Sequence, residues 1–349
     1  MSPVHTQNAA TGPSAFCGGA TVFVVTVTYG ARQSLLQRML AGLAAQGVAK
    51  AVVVDNGASW PVSPTLTAQY GPFVDVVAMG RNAGSAGGYT AGIQRAIDAG
   101  AELVWLLDDD NEPVEGCLAR LMEAYADETG TTPRDRLATV AFRPDHQADV
   151  AAGVPVRYVN ARPDSFCGFH VLDIPYKLWR RTPWGRPHGK APSRVRLDVA
   201  PYSGLLMHRE LLRNIGVPDQ RLVLYADDTE YSWRITARGG RIVLVTTAQL
   251  IDLEQSWGLK ARFPTSFAGW LDGGADLRAY YAMRNQTYVD LCVRCYSKRT
   301  TTINRVVYRF ILWLHARNDS RQARYALLDR AMVDGRAARL GVAPEFPLP

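Results

Sequence analysis

The chain has 349 residues, about two domains' worth or one elaborated domain. With 47% hydrophobic and 20% charged residues it has ample material for a core, which excludes wholesale disorder and collagen-like or low-complexity classes. The net charge of +7 is polarised: residues 1–142 carry 8 basic and 13 acidic groups, whereas residues 291–349 carry 11 and 4, which points to an anionic partner near the C-terminus.

Residues 1–20 are small, polar and Gly/Pro-containing, without the basic start and apolar centre of a secretory signal, and read as a flexible tail. Five cysteines are too few for a disulfide scaffold, so a reducing cytosol is expected. Thr21–Thr28 is a β-branched run of the kind buried on both faces of a sheet. Arg32–Gln46 repeats apolar residues at helical spacing. Ala51–Val54 is a second strand, ended by the turn signal Asp55-Asn56-Gly57. Val74–Ala78 is a third, Ser85–Ala99 a helix of small residues, and Leu103–Leu107 a fourth strand that runs straight into Asp108-Asp109-Asp110. Strands alternating with helices imply a parallel sheet with ligands at the carboxyl ends of its strands.

Between residues 140 and 198 the texture turns irregular, rich in Pro, Arg and aromatics. Patterning returns with a strand and helix over Tyr202–Gly216, a helix over Asp228–Gly239 and a strand over Arg241–Thr246. Helices are expected over 276–296 and 303–334. No apolar run exceeds five residues, as at Phe310–Leu314, far short of the roughly 18 that span a bilayer.

The acidic triplet is the sharpest local signal. Three adjacent carboxylates after a buried strand repel one another, which favours a cation between them. On extended backbone Asp108 and Asp110 point the same way and can share an ion while Asp109 turns elsewhere. Hard oxygen ligands suit Mg2+ or Mn2+ with substrate phosphates completing the shell; the bland alternative is a solvated turn capping the next helix. Arg81-Asn82-Ala83-Gly84-Ser85-Ala86-Gly87-Gly88 offers helix-start amides beside an arginine, a setting for an anion, or else glycines for close helix–sheet packing. It does not follow the first strand, which argues against a nicotinamide enzyme. Asp55 serves either a nucleotide's base or ribose, or a turn. Asp227-Asp228 is either a charged helix start or a general base. Cys292 and Cys295 have no second pair or nearby histidine to complete a zinc site.

In this order the stretches VTVTYGAR, VVVDNGAS, RNAGSAGGYTAGI, AIDAGAELVWLLDDD, GVPDQRLVLYADDTEYSWR and YYAMRNQTYV resemble the inverting nucleotide-sugar glycosyltransferases of family 2 over roughly residues 21–290. Within that family they look most like the galactofuranosyltransferases of actinobacterial cell-wall galactan synthesis, with rhamnosyltransferases and other hexosyltransferases close by. The resemblance implies a GT-A type α/β fold: a parallel-rich sheet flanked by helices, with a C-terminal helical extension. Its divisions are a tail (1–20), a nucleotide-sugar-binding half (21–135), an acceptor and catalytic half (136–290) and a basic helical extension (291–349). It further implies Asp108 and Asp110 as metal carboxylates for Mn2+ or Mg2+, and Asp109 toward the donor sugar. Asp55, Arg81 and Asn82 become donor contacts. Asp228 becomes the base that takes a proton from an acceptor hydroxyl. The implied partners are a nucleotide-sugar such as UDP-galactofuranose and a glycan acceptor on a polyprenyl diphosphate, with no nucleic acid.

The sequence departs from the family pattern at one ligand. Related enzymes supply a metal-binding histidine after the strand that follows the base helix, but no histidine lies between His208 and His315. Asp252 sits closest to the expected position, with Glu254 second. A nucleotidyltransferase is disfavoured because its phosphate loop would follow the first strand, and a non-catalytic sugar or nucleotide binder would leave the acids unexplained. In the extension, Ile303, Val306, Val307, Phe310, Ile311 and Leu314 fall at helical spacing beside Arg305 and Arg309. This pattern suits either the inner surface of the cell membrane or packing against the catalytic domain or another copy.

Overall fold

The computed structural model describes residues 20–187, 189–254 and 263–348. Among the described residues nine strands form one sheet: β1 (Val22–Gly30), β2 (Lys50–Ala58), β3 (Val74–Ala78), β4 (Leu103–Leu106), β5 (Asn111–Pro113), β6 (Leu137–Phe142), β7 (Arg194–Leu197), β8 (Leu205–His208) and β9 (Arg241–Asp252). Their order is β3-β2-β1-β4-β8-β6-β9-β5, with β7 also on β9. The strands β3, β2, β1 and β4 are mutually parallel, as the alternation of strands and helices predicts. Beyond β4 the sheet becomes mixed. The strand β8 runs antiparallel between β4 and β6, while β6 and β9 are parallel. The sheet therefore runs unbroken past residue 135, and the two sequence halves share one set of hydrogen bonds.

The strand β1 is buried on both faces. Phe23, Val25 and Val27 meet Tyr89, Ile93 and Ala96 of the helix Gly84–Asp98. Val22 and Val24 face Leu36, Met39, Leu40 and Leu43 of the helix Gln33–Leu43. Two predicted strands are longer than the sequence suggests. The strand β2 continues through Asp55-Asn56-Gly57 to Ala58, because Gly30 still pairs with Ala58 after a register shift. The strand β9 continues to Asp252, because β5 pairs with its last residues.

The glycines of the helix Gly84–Asp98 set its distance from the sheet. A Cβ on Gly92 would lie 2.4 Å from Val25 Cγ1 and 2.9 Å from Val54 Cγ2, and one on Gly88 would lie 2.6 Å from Val27 Cγ1. Side chains at either position would force a close-packed core apart.

The extension forms two helices, Lys298–His315 and Asp319–Arg336, instead of one continuous helix. The break lets the second helix pack back on Asp276–Tyr288. Gly335 permits the crossing, since a Cβ there would lie 2.1 Å from the Arg284 carbonyl oxygen. These helices share a third core with Phe166, Phe169 and Val223. Among the described residues no helix is long and apolar enough to cross a membrane.

Gly92→Val should destabilise the protein by about 1–3 kcal/mol, the usual cost of overpacking a core, read as a lower urea midpoint at unchanged slope. An unchanged midpoint would mean that the helix and sheet stand further apart than described.

Candidate active site

Parallel pairing brings the carboxyl ends of β1, β2 and β4 to one edge of the sheet. Arg32, just beyond β1, reaches across to the triplet beyond β4. Its Nε donates to both oxygens of Asp109, at 2.8 and 3.0 Å. Its Nη2 donates to Asp110 Oδ2 at 2.8 Å, and its Nη1 to Glu254 Oε2 at 2.5 Å. Asp109 is 3% exposed, and burial pushes its carboxyl up to about 7 against the pull of Arg32. Burial and then the neighbouring Asp108 raise Asp110 as well. Asp108 is the open member, with its side chain 41% exposed; its Oδ1 accepts from the Tyr89 hydroxyl at 2.8 Å. The triplet is no helix cap: Asp109 and Asp110 form a turn, closed by the Asn111 amide on the Asp108 carbonyl at 3.2 Å, that leads into β5, so a turn and not the extended backbone expected from the sequence directs Asp109 inward.

A second arginine enters from the other half of the sheet. Arg143 follows β6 and Asp252 ends β9, and the parallel register of these two strands brings them together. Asp252 Oδ1 accepts from Arg143 Nε at 2.8 Å and lies 2.6 Å from Arg143 Nη2. Arg143 Nη1 is 3.8 Å from Asp108 Oδ2, so one guanidinium stands between the two carboxylates. The imidazole of His146 lies at the same place, its Nε2 3.5 Å from Asp252 Oδ2 and 3.0 Å from Arg143 Nη2. Burial, and then Arg143, lower its affinity for a proton. Asn111 ties the halves together. It pairs with Asp252 across β5 and β9, and its Nδ2 donates to Asp110 Oδ1 at 3.1 Å and to Asp252 Oδ1 at 2.9 Å. Its own Oδ1 accepts from the Ser203 hydroxyl. Both residues proposed to replace the absent histidine therefore stand at the acid cluster, Asp252 through Arg143 and Asn111, Glu254 through Arg32.

The adjacent acids Asp227 and Asp228 have different surroundings. Asp227 is 2% exposed and accepts from Ser85 Oγ at 2.7 Å. Asp228 is half-buried, and its Oδ1 accepts from the Thr229 amide at 2.6 Å. Burial raises Asp227 to about 7 and Asp228 to about 6; the charge of Asp108 pushes Asp228 up and that of Arg143 pulls it down, which places Asp228 in the field of the cluster. The loop leading to this pair is strained: Val223, Tyr225 and Ala226 have φ of 64, 67 and 58°. Such backbone is costly unless the surroundings hold it. Asn285, fully buried in the helix Asp276–Tyr288, does so by donating through Nδ2 to the carbonyls of Leu222, Leu224 and Tyr225.

The glycine-rich run serves close packing. The Val223 carbonyl oxygen accepts from the Ala86 amide, and it would lie 2.1 Å from a Cβ on Gly84, so the loop before Asp227 covers this helix start. Asn82 Oδ1 accepts from Asn56 Nδ2 and the Gly84 amide within its own loop, while Arg81 is exposed at the rim. Asp55 is half-buried; its Oδ1 closes a turn on the Ala58 amide at 2.9 Å.

Sequence reading missed Arg32, Arg143 and His146. Each stands just after a strand on the edge that carries the triplet, and that position was the available signal. Among the described residues no three His, Cys, Asp or Glu side chains already converge as a metal shell. The donor set nevertheless fits a divalent cation in kind. Hard carboxylate oxygens and a neutral imidazole are ligands Mn2+ accepts, and the Arg143 guanidinium already holds positive charge between Asp108 and Asp252.

Residues 23–161 match the sequence model described as glycosyl transferase family 2. Galactofuranosyltransferase GlfT1 of Mycolicibacterium smegmatis is 28% identical over 203 residues, 54% of this chain and 56% of that protein. GlfT1 of Mycobacterium tuberculosis is 27% identical over 228 residues, 63% and 66% of the respective lengths, so each match spans less than two thirds of its relative. The Staphylococcus aureus TarS 1–349 structure in complex with UDP-GlcNAc superposes with a TM-score of 0.50 at 13% identity, over 91% of this chain and 82% of that one. The shared fold is the GT-A glycosyltransferase fold.

The burial of Asp227 has a consequence for stability. Its carboxyl keeps a proton up to about pH 7 in the folded chain and releases it near 3.8 when unfolded, so folding loses stability as pH rises through that window. Asp227→Asn should flatten the decline in melting temperature between pH 5 and pH 8 and raise the value at pH 8. A decline as steep as in the parent protein would show that Asp227 ionises without penalty.

Proposed function

We propose that this chain, whose residues 23–161 match the glycosyl transferase family 2 model, is an inverting glycosyltransferase acting on a lipid-linked glycan, with galactofuranose from UDP-galactofuranose as the donor sugar. The reading rests above all on Asp228, a half-exposed carboxylate in the field of Asp108 and Arg143, with its bonded neighbour Asp227 turned away into the protein. A base beside the donor's charged end is what displacement at an anomeric carbon requires. Asp228 takes the proton of the acceptor hydroxyl as that oxygen attacks from the face opposite the leaving diphosphate. Burial holds Asp228 near 6, so it is ionised at neutral pH yet basic enough to accept a proton.

Asp108, Asp110 and Asp252 are the carboxylates that would hold Mn2+ or Mg2+, with His146 the nitrogen at hand. When bound, such a cation offsets the negative charge that develops on the departing diphosphate. Arg32 fixes Asp109 and Asp110, so Asp109 acts toward the donor by positioning its neighbours. Asp55, with one oxygen outside its turn bond, and Arg81 at the rim line the nucleotide side, where Asn82 shapes the loop. The choice of sugar rests on the galactofuranosyltransferase relatives. A rhamnosyl or other hexosyl donor keeps the same residues in the same roles. A polyprenyl-diphosphate acceptor places the reaction at the inner face of the cell membrane, with the protein peripheral to it.

Asp228→Asn keeps the shape and removes the basic oxygen. Turnover with a nucleotide-sugar and acceptor should fall by roughly two to four orders of magnitude, the usual loss for a general base, with donor affinity nearly unchanged. In the parent enzyme kcat/KM should rise with pH through about 6, as Asp228 loses its proton beside Asp227, Asp108 and Arg143. Turnover spared in Asp228→Asn but lost in Asp227→Asn would move the base by one residue.

A further inference from the structure

The two C-terminal helices flank a half-open cavity of about 270 Å³ lined by Arg305, Arg309, Met332, Val333, Arg336 and Ala337, with Arg336 exposed at its mouth. Three guanidiniums thus meet in one small space. Only Arg309 has a carboxylate, Asp329 Oδ1 at 2.5 Å from its Nη2. Arg305 and Arg336 form no ion pair among the described residues, and the Nε of Arg309 is buried without a hydrogen-bond partner. Burial, and then the charges of Arg336 and Arg309, weaken the hold of Arg305 on its proton. Guanidiniums gathered with too few acids cost energy through mutual repulsion, and an anion bound among them removes that cost.

The cavity borders an apolar surface. The helix Lys298–His315 buries Thr301, Asn304, Tyr308 and Leu312 against the third core. Val307 and Ile311 are half-buried beside them. Ile303, Val306, Phe310, Trp313 and Leu314 stay exposed, between 38 and 55%. Val333 on the cavity wall is itself 50% exposed. Arg305 and Arg309, one helical turn apart, flank this face, and Arg317 lies over the Trp313 ring at 4.6 Å. A free phosphate would gain nothing from the apolar face, whereas a phosphate carrying acyl chains uses both.

We propose that this cavity binds the phosphate of an anionic lipid headgroup and that the chain docks on a bilayer through it, with the exposed face of Lys298–His315 in the headgroup boundary. This docking rests on the peripheral location given in the proposed function and names its surface; because none of its residues lies at the acid cluster, it can fail while the transferase chemistry stands. An amphipathic helix edged by arginines is a known solution for that boundary. The basic surplus of residues 291–349 favours the same surface.

The test is sedimentation of the full chain with vesicles of phosphatidylcholine alone and with vesicles that also contain phosphatidylglycerol. The protein should bind the anionic vesicles only, and less as salt rises. Arg305→Gln with Arg336→Gln should weaken that binding roughly thirtyfold, while Arg196→Gln with Arg213→Gln, an equal loss of charge elsewhere on the surface, should weaken it far less. Phe310→Ser should also weaken it, with melting temperatures confirming that each variant is folded. Equal weakening by the two arginine pairs would overturn the site in favour of general charge attraction. Strong inorganic phosphate binding, together with vesicle binding unmoved by Phe310→Ser, would overturn the lipid as its source. A folded protein that fails to sediment with anionic vesicles at low salt would overturn the docking altogether.

Discussion

Five carboxylates crowd the carboxyl edge of this sheet, and two guanidiniums make that arrangement tolerable. Arg32 binds Asp109, Asp110 and Glu254, and Arg143 binds Asp252 and approaches Asp108. Without them, buried acids would repel one another and take up protons. The raised proton affinities of Asp109 and Asp110 show that the compensation is incomplete. A buried ion-pair network of this kind adds little to stability; here it holds Asp109, Asp110 and Asp252 in fixed positions at the edge of the sheet.

The C-terminal helices belong to the same construction. Asn285 supplies hydrogen bonds to three carbonyls of the left-handed loop before Asp227, and Val223 of that loop packs in their core and receives the amide of Ala86. The acid pair Asp227-Asp228, the start of the helix Gly84–Asp98 and the extension are therefore mechanically joined. The exposed face of Lys298–His315 is directed away from this junction, so the extension braces the site on one side and offers a surface on the other.

Much of this was legible in local patterns. A β-branched run announced β1, and apolar strand residues ending in three aspartates announced the edge where chemistry would gather. The acid pair at 227–228 did not stand out by composition, since acids favour a helix start; only the family resemblance gave Asp228 a role. Long-range partnerships were not legible. Arg32 and Asp109 lie 77 residues apart, and Arg143 and Asp252 109 apart; only the strand order brings them together. The missing histidine was sought after β9, whereas the imidazole beside Asp252 comes from the loop after β6, because those strands are parallel neighbours. The glycine run was ambiguous between anion binding and packing, since both need an absent Cβ; the nearness of Val25, Val27 and Val223 shows the packing role. Strand ends at Ala58 and Asp252 were set by pairing partners that local composition does not reveal.

In the proposed function the acid cluster binds a nucleoside diphosphate through a divalent cation. Calorimetric titration of UDP into the parent protein and Asp108→Ala, each with Mn2+ and with EDTA, addresses it most directly. The parent should bind UDP with Mn2+ and lose most of that affinity in EDTA, and Asp108→Ala should bind weakly in both. UDP affinity indifferent to EDTA in the parent, or a manganese-dependent affinity unchanged in the variant, would contradict it.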